Sequence, residues 1–483
     1  MNSHWRLLLD FGIIAILLFG VALFRAPRTA RAGNLAAALA LAGALIAVLL
    51  VNPLRDPAVV ILALLAGGAA GVVVAMRTKM IQMPAMIAFQ HGMGGIAAFL
   101  TSLVELNRAE ATLPVTGQMA GLLGITVGAA TFSGSLIASG KLAGVLRQTP
   151  VLLPRHAAIQ TTLLVAILAL GALVLQAAAP ALLYGSLALI LVAVALGVVF
   201  ALRIGGADMP VLISFLNATA GLAAAFCGII IQNRLLIACG ATVAASGSIL
   251  TYAMCRAMNR SLRLVLMPAP QTPAASPAAP APPAVAEALS PPAAEKPAEP
   301  SAEEAGQPPL ERALAALRAA QSIIIIPGYG MALAQAQFEL AHLTEKLRAM
   351  GRQLRFAIHP IAGRMPGHMH VLLAEAEIDA DLLFDLPDIN ADFEKTDLAL
   401  VVGACDVVNP AAVEVEGTPI SGMPILEARA AKQVVVCNLD TNPGYSGVAN
   451  SLYTNAKTIL VLGDAKAALE QLREGLDASS TPS

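Results

Sequence analysis

One histidine, His91, stands inside an apolar run, residues 83–99 (MPAMIAFQHGMGGIAAF), that reads as part of a membrane-spanning helix. An imidazole gains and loses a proton near neutrality. At bilayer depth a polar side chain is costly unless it finds partners, so it marks a bundle interior or a wet path. A second run, residues 209–226 (MPVLISFLNATAGLAAAF), repeats the pattern. Asn217 stands eight residues after Met209 as His91 stands eight after Met83, and Gly221 answers Gly95. At about 1.5 Å of rise per residue both polar groups lie roughly 12 Å beyond their Met-Pro starts, at one level of a pore. The competing reading is a helix-packing hydrogen bond at each site. Asp208, just before the second Met-Pro, reads equally as an N-cap carboxylate or as a gatepost for protons bound to Asn217 and His91.

A different chemistry is written after residue 310. The apolar stretch Ser322-Ile323-Ile324-Ile325-Ile326 runs into Pro327-Gly328-Tyr329-Gly330-Met331-Ala332-Leu333, a Gly-x-Gly-x-x-Leu turn with a helix expected over 335–350. Two glycines let backbone approach a pyrophosphate at a helix N-terminus, where free N–H groups favour anions. Loops of the same character follow later strands: 360–368 (PIAGRMPGH) after 356–359, 403–410 (GACDVVNP) after 398–402, and 437–447 (CNLDTNPGYSG) after 433–436. Arg364 suits a pyrophosphate oxygen through its forked donors.

The elements that must carry these residues fall into two classes. With 57% hydrophobic and 13% charged residues and a mean hydropathy of +0.74, the chain is polytopic in a membrane. Its net charge of −1 and lack of basic blocks give no sign of nucleic-acid binding. The five cysteines show neither CxxC nor Cys-His spacing, so neither a disulfide framework nor a metal site is expected. Apolar runs near 7–24, 34–51, 58–75, 83–103, 116–138, 157–177, 181–201, 209–230 and 235–255 give about nine spans. Basic residues gather in alternate loops (Arg25, Arg28 and Arg31; Arg77 and Lys79; Lys141, Arg147 and Arg155; Arg203; Arg256, Arg260 and Arg263). The positive-inside rule then places the N-terminus outside and everything after 256 in the cytoplasm. Asp10 and Lys141, at helix ends, read as anchors. Ser133-Gly134-Ser135 in span five is echoed by Ser246-Gly247-Ser248 in span nine, so spans four-five and eight-nine form a parallel internal repeat. Residues 1–262 are the membrane domain, 263–309 a Pro/Ala-rich tether, and 310–483 a unit of alternating strands and helices expected to form a Rossmann-like doubly wound parallel sheet.

Taken together these motifs resemble the beta subunit of proton-translocating nicotinamide nucleotide transhydrogenase over nearly the full length. PGYGMALAQAQ, HPIAGRMPGHM, GACDVVNP, ISGMPILE, GYSGV and LGDAKA stand in that family's order. The helices around His91, and around Ala207-Asp208-Met209-Pro210 with Asn217, resemble its proton channel. The resemblance implies Re/Si-specific hydride exchange between NADH on a partner alpha subunit and NADP⁺ on the C-terminal domain. It also implies coupled proton entry across a bacterial inner membrane, in a dimer of alpha-beta units. By it, His91, Asn217 and Asp208 carry protons, and Gly328, Tyr329, Gly330 and Met331 meet the dinucleotide. Ala362, Gly363, Arg364, Met365 and Pro366 hold the pyrophosphate. Gly403, Ala404, Asp406, Val407 and Val408 sit by the nicotinamide and partner face, with Asp406 counted among the catalytic groups. Gly422, Met423, Asp464 and Lys466 line the pocket, while Gly444 and Tyr445 belong to a lid.

Two departures matter. Where the family has a Lys-Arg-Ser triplet gripping the adenosine 2′-phosphate, this chain has Asn438-Leu439-Asp440. That exchanges two cations for a carboxylate of the kind that holds a free ribose 2′-OH; NADP(H) stays the cofactor the resemblance implies, with its binding expected to be weakened and NAD(H) as the alternative. Cys405 stands where the family motif has Asn before the Asp. The exchange at 438–440 keeps open a reading from another class, a membrane dinucleotide sensor that no longer transfers hydride. A passive channel would leave the C-terminal loops unexplained.

Overall fold

The computed structural model describes residues 3–23, 29–51, 56–108, 113–148, 150–178, 180–205, 208–258, 262, 307–365, 367–416, 418 and 420–478. The tether at 263–306 and Pro366 lie outside them. The chain divides into two units.

Long runs of Ala, Leu, Ile and Val, broken by Pro and charged residues, form the helices of the first unit. In order they are α1 (Ser3–Leu23), α2 (Ala30–Val51), α3 (Pro57–Arg77), α4 (Met83–Leu106), α5 (Val115–Leu142), α6 (His156–Leu175), α7 (Ala181–Arg203), α8 (Met209–Ile230) and α9 (Arg234–Ala257). Among the described residues eight of these, α2 to α9, are long and apolar enough to cross a membrane. The ninth expected span is α1, whose apolar stretch Leu7–Leu23 is shorter. Pro stands in the first turn of α3, α4 and α8, where its missing N–H costs nothing.

Small residues set the helix crossings, as they must where lipid and Leu are equally apolar. A Cβ on Gly95 of α4 would lie 2.7 Å from the Gly128 carbonyl oxygen of α5, and one on Gly128 would lie 2.8 Å from the Gly95 oxygen. The pair α8–α9 copies this contact. A Cβ on Gly221 would lie 2.9 Å from the Gly240 oxygen, and one on Gly240 would lie 2.8 Å from the Gly221 oxygen. The repeat is therefore carried by backbone contact, Gly95·Gly128 answering Gly221·Gly240. One turn away the roles exchange: Gly92 receives Ser135, whereas Gly247 receives Ala218. Ser135 thus corresponds to Gly247, so the Ser-Gly-Ser echo is displaced by one residue from the structural register.

The second unit is a six-stranded sheet of order β3-β2-β1-β4-β5-β6, every neighbouring pair parallel. Its strands are β1 (Ser322–Pro327), β2 (Gln353–Ile358), β3 (Leu383–Asp385), β4 (Leu398–Val402), β5 (Gln433–Asn438) and β6 (Thr458–Leu462). This is the dinucleotide-fold order, whose direction reverses between β1 and β4 and opens a crevice at their C-terminal ends. Ile323 to Ile326 and all of β4 are buried, as strands covered by helices on both faces require. The helices that follow the tether in the chain include α10 (Pro309–Ala319), α11 (Tyr329–Leu333), α12 (Gln337–Ala349), α13 (His368–Glu375) and α14 (Ala465–Ala478).

The helix expected over 335–350 is found as α12, over Gln337–Ala349, behind a separate short helix. Gln335 has φ +52°, so the chain turns there, leaving α11 with five residues and starting α12 at Gln337. β5 also runs further than expected, to Asn438.

At the opposite, N-terminal end of the two central strands Asp397 ties β1 to β4. Its carboxylate accepts from the Gln321 and Ser322 N–H groups (both 3.0 Å), from Ser322 Oγ (3.1 Å) and from Lys432 Nζ (2.8 Å). The Lys432 bond first, then the backbone donors, hold this carboxyl well below the ordinary range. A depressed folded-state value stabilises the fold above the unfolded value, roughly 4, and that stability is lost as pH falls below it. Asp397→Asn is expected to destabilise this unit by about 1–3 kcal/mol at pH 7. In denaturant titrations the gap to the parent should close as pH drops below about 4.

Candidate functional site

In the membrane unit His91 and Asn217 are half-buried on α4 and α8. The helices pack on each other through Ala98, Ala223 and Cys227. α5 joins them: Thr131 Oγ1 donates to Thr219 Oγ1 at 2.9 Å, two residues beyond Asn217. Among the described residues neither His91 nor Asn217 makes a side-chain hydrogen bond, so the helix-packing bond that competed for both positions is not formed. Asp208 directly precedes α8, yet its side chain caps no backbone N–H there. Its carboxylate instead acts on the Arg203 guanidinium at the end of α7.

In the sheet unit the loops after β1 and β4 interlock. Gly328 N–H donates to Val402 O and Gly330 N–H to Gly403 O, both at 2.8 Å. A Cβ on Gly328 would meet the Gly403 oxygen at 2.3 Å, one on Gly330 the Gly403 Cα at 2.8 Å, and one on Gly403 (φ +68°) the Met331 nitrogen at 2.0 Å. The glycines of the Gly-x-Gly turn therefore serve the close approach of two loops. α11 begins within the turn, at Tyr329, and has five residues. Met331 and Ala404 are buried beneath the crossing.

The loop after β4 is stitched to the loop after β5. Asp406 accepts from Ser446 N–H (3.0 Å) and Ser446 Oγ (2.6 Å), and a Cβ on Gly444 would sit 2.9 Å from that carboxylate. Asn409 Nδ2 donates to Ala449 O at 3.1 Å, and Asn450 Nδ2 to Cys405 O at 3.0 Å. The Tyr445 ring lies against Tyr329, centroids 5.9 Å apart and planes at 57°, so the expected lid residue reaches the glycine turn. Val407 and Val408 are buried. Burial keeps the Cys405 thiol above its usual range, with Tyr453 as its first hydrogen-bonding neighbour, so it stands as a neutral thiol.

His359, at the end of β2, was not singled out by type or spacing. Its Nδ1 accepts from Ile361 N–H at 3.2 Å, and its Nε2 lies 2.8 Å from Pro424 O. Burial lowers it to about 4, so the neutral ring, with its proton on Nε2, fastens the 359–363 turn to the segment holding Met423. Ala362 is buried, and Gly363 has φ +114°. The Arg364 N–H donates to His368 Nδ1 at 3.1 Å, and Met365 follows. Gly422 (φ +74°) makes a turn whose N–H reaches Ala412 O at 2.7 Å, with Met423 buried behind it. Asp464 accepts from the Lys466 and Ala467 N–H groups at the start of α14. Lys466 Nζ lies 3.3 Å from Glu339, so both residues have structural partners.

The triplet 438–440 does not act as a unit. Asn438 points inward, donating to Ala404 O (2.9 Å) and Tyr453 OH (2.6 Å). Leu439 is 71% exposed. Asp440 accepts from Asn442 N–H (2.9 Å) and Nδ2 (2.7 Å).

The NAD(P) transhydrogenase beta subunit family matches residues 8–475. The chain belongs to that family. It is similar to the NAD(P) transhydrogenase subunit beta of Rhodospirillum rubrum, 38% identical over 475 residues that cover 96% of this chain and 98% of the relative. The protein of the same name from a named strain of that organism gives the same figures. The family match spans both units, from within α1 to within α14. The likeness accordingly takes in both the membrane helices and the sheet that carries residues 438–440.

Proposed function

We propose that this chain is the subunit of a Re/Si-specific, proton-translocating transhydrogenase that spans a bacterial inner membrane and holds the NADP(H)-side dinucleotide. Its partner is an alpha subunit carrying the NAD(H) site, in a dimer of alpha-beta units, with the N-terminus periplasmic and the sheet domain cytoplasmic. What carries the membrane half of this reading is that His91 and Asn217, at matched depth on repeated helices, are free of packing hydrogen bonds among the described residues. A polar group in lipid surroundings without a protein partner is satisfied by water, and an imidazole so placed exchanges protons with it.

When bound, the dinucleotide supplies the C4 carbon that accepts or gives a hydride. The chain's residues do the rest. The crossed loops at Gly328, Gly330 and Gly403 form the floor of the crevice, and His359 fixes the 359–363 turn that leads to Arg364. Asp406 holds Gly444 to Ser446, and with them Tyr445, over that floor. The crevice loops fit a dinucleotide body. Its β5 end does not fit a 2′-phosphate, because it presents an apolar side chain at 439 and a carboxylate at 440. We read the site as preferring NAD(H) over NADP(H). The same feature favours the second reading, a dinucleotide sensor without hydride transfer.

The test uses vesicles carrying this chain with its alpha partner, a pH dye, NADH, and NADP⁺ or an NAD⁺ analogue. Hydride exchange accompanied by proton movement is expected. Dinucleotide binding with no exchange to either acceptor would leave the sensor standing and overturn the enzyme.

A further inference from the structure

Lys141 looked from its place at a helix end like an interfacial anchor. It is instead 1% exposed. From the last turn of α5 its ammonium donates to Ala201 O (3.1 Å), Leu202 O (2.6 Å) and Ile204 O (2.7 Å). These are carbonyls at the C-terminal end of α7, where the helix dipole is negative and the last acceptors lack intrahelical donors. Three N–H groups meet three acceptors, none of them a carboxylate. Burying a charge this way is expensive compared with a packed apolar side chain of the same size, so a use beyond stability is called for.

The use lies in what the clamp holds. Ile204 is extended (φ −88°, ψ 132°), and the chain from it leads within four residues to Asp208 and the start of α8. Asp208 acts on Arg203 across the same corner. Two residues before Lys141, Ser139 Oγ donates to Ala85 O in the first turn of α4 at 2.9 Å. The end of α5 therefore holds the first turn of α4 through Ser139 and, through Lys141, the end of α7 four residues ahead of Asp208.

We propose that Lys141 is a positioning residue for proton transfer, its buried ammonium fixing the α7–α8 corner and hence Asp208 at the entrance to α8. This rests on the proton-translocating reading above. The experiment is Lys141→Met, unbranched, similar in length and uncharged, in the full complex with its partner subunit in vesicles, with turnover expressed per assembled complex. Proton-coupled turnover should fall on the order of tenfold or more, with the KM values for both dinucleotides unchanged. A loss confined to kcat separates positioning from general unfolding, which would lower the amount of complex and leave turnover per complex alone. Lys141→Gln offers two donors and no charge and should give an intermediate loss. It decides the matter if the Met variant does not assemble. Parent-like coupled turnover in Lys141→Gln, or in an assembled Lys141→Met, overturns the proposal. His91→Ala in the same vesicles separates the two failures. If it retains coupling, the proton path itself is wrong. If it loses coupling while Lys141→Met does not, only the clamp is wrong.

Discussion

His91→Ala is expected to abolish proton movement coupled to hydride exchange, with turnover down on the order of a hundredfold or more, the usual loss when a group that takes and gives a proton is removed. The protein itself should be undisturbed. His91 makes no side-chain hydrogen bond among the described residues, and alanine is the best helix former. The α4–α5 crossing rests on Gly92, Gly95 and Gly128, none of which the substitution touches. Membrane content and dinucleotide binding by the C-terminal unit are therefore the controls, and both should match the parent. Acidification measured beside hydride exchange checks the outcome, and normal pumping by the variant would remove His91 from the path. Asn217→Ala should act in the same direction and more weakly, since an amide can orient water but does not titrate.

Much of this architecture is legible in the residues, because the forces that set it are local or periodic. A run of about twenty apolar residues has few fates other than a spanning helix. Alternating strands and helices with loops rich in glycine lead to a parallel sheet. The illegible parts depend on tertiary contact. The Ser-Gly-Ser echo gave the right helices but a register one residue off, because the true equivalence lies in which glycine faces which backbone. β3 is three residues long and ends in Asp385, too little pattern to stand out. β6 reads Thr-Ile-Leu-Val-Leu ahead of the Asp464 cap, a signal that was present and could have been used. The Gly-x-Gly turn carries a second constraint that its spacing does not show: the Cβ positions of its glycines are filled by the Gly403–Ala404 backbone. Spacing alone cannot tell a glycine needed by a ligand from one needed by a neighbouring loop.

The same distinction governs dinucleotide choice, where the expected result differs among three adjacent residues. Leu439→Arg with Asp440→Ser should strengthen NADPH binding relative to NADH by about two orders of magnitude. One charge-assisted bond to a phosphate contributes about 1.5–3 kcal/mol, and a carboxylate that repels the phosphate is removed at the same time. Both side chains are exposed at the end of β5, so the exchange leaves the core alone apart from the Asp440–Asn442 turn. Asn438→Lys should not add to this gain. Its amide is buried between Ala404 O and Tyr453 OH, and a lysine there would replace a compact neutral donor by a longer, charged side chain at the end of an interior strand. The expected cost is about 2–4 kcal/mol of stability, visible in a denaturant titration before any effect on binding. Paired titrations of the parent and the two variants with NADPH and NADH check this. Tight NADPH binding by the parent, with negligible NADH binding, would mean that cations elsewhere hold the 2′-phosphate and that residues 439 and 440 do not set the preference.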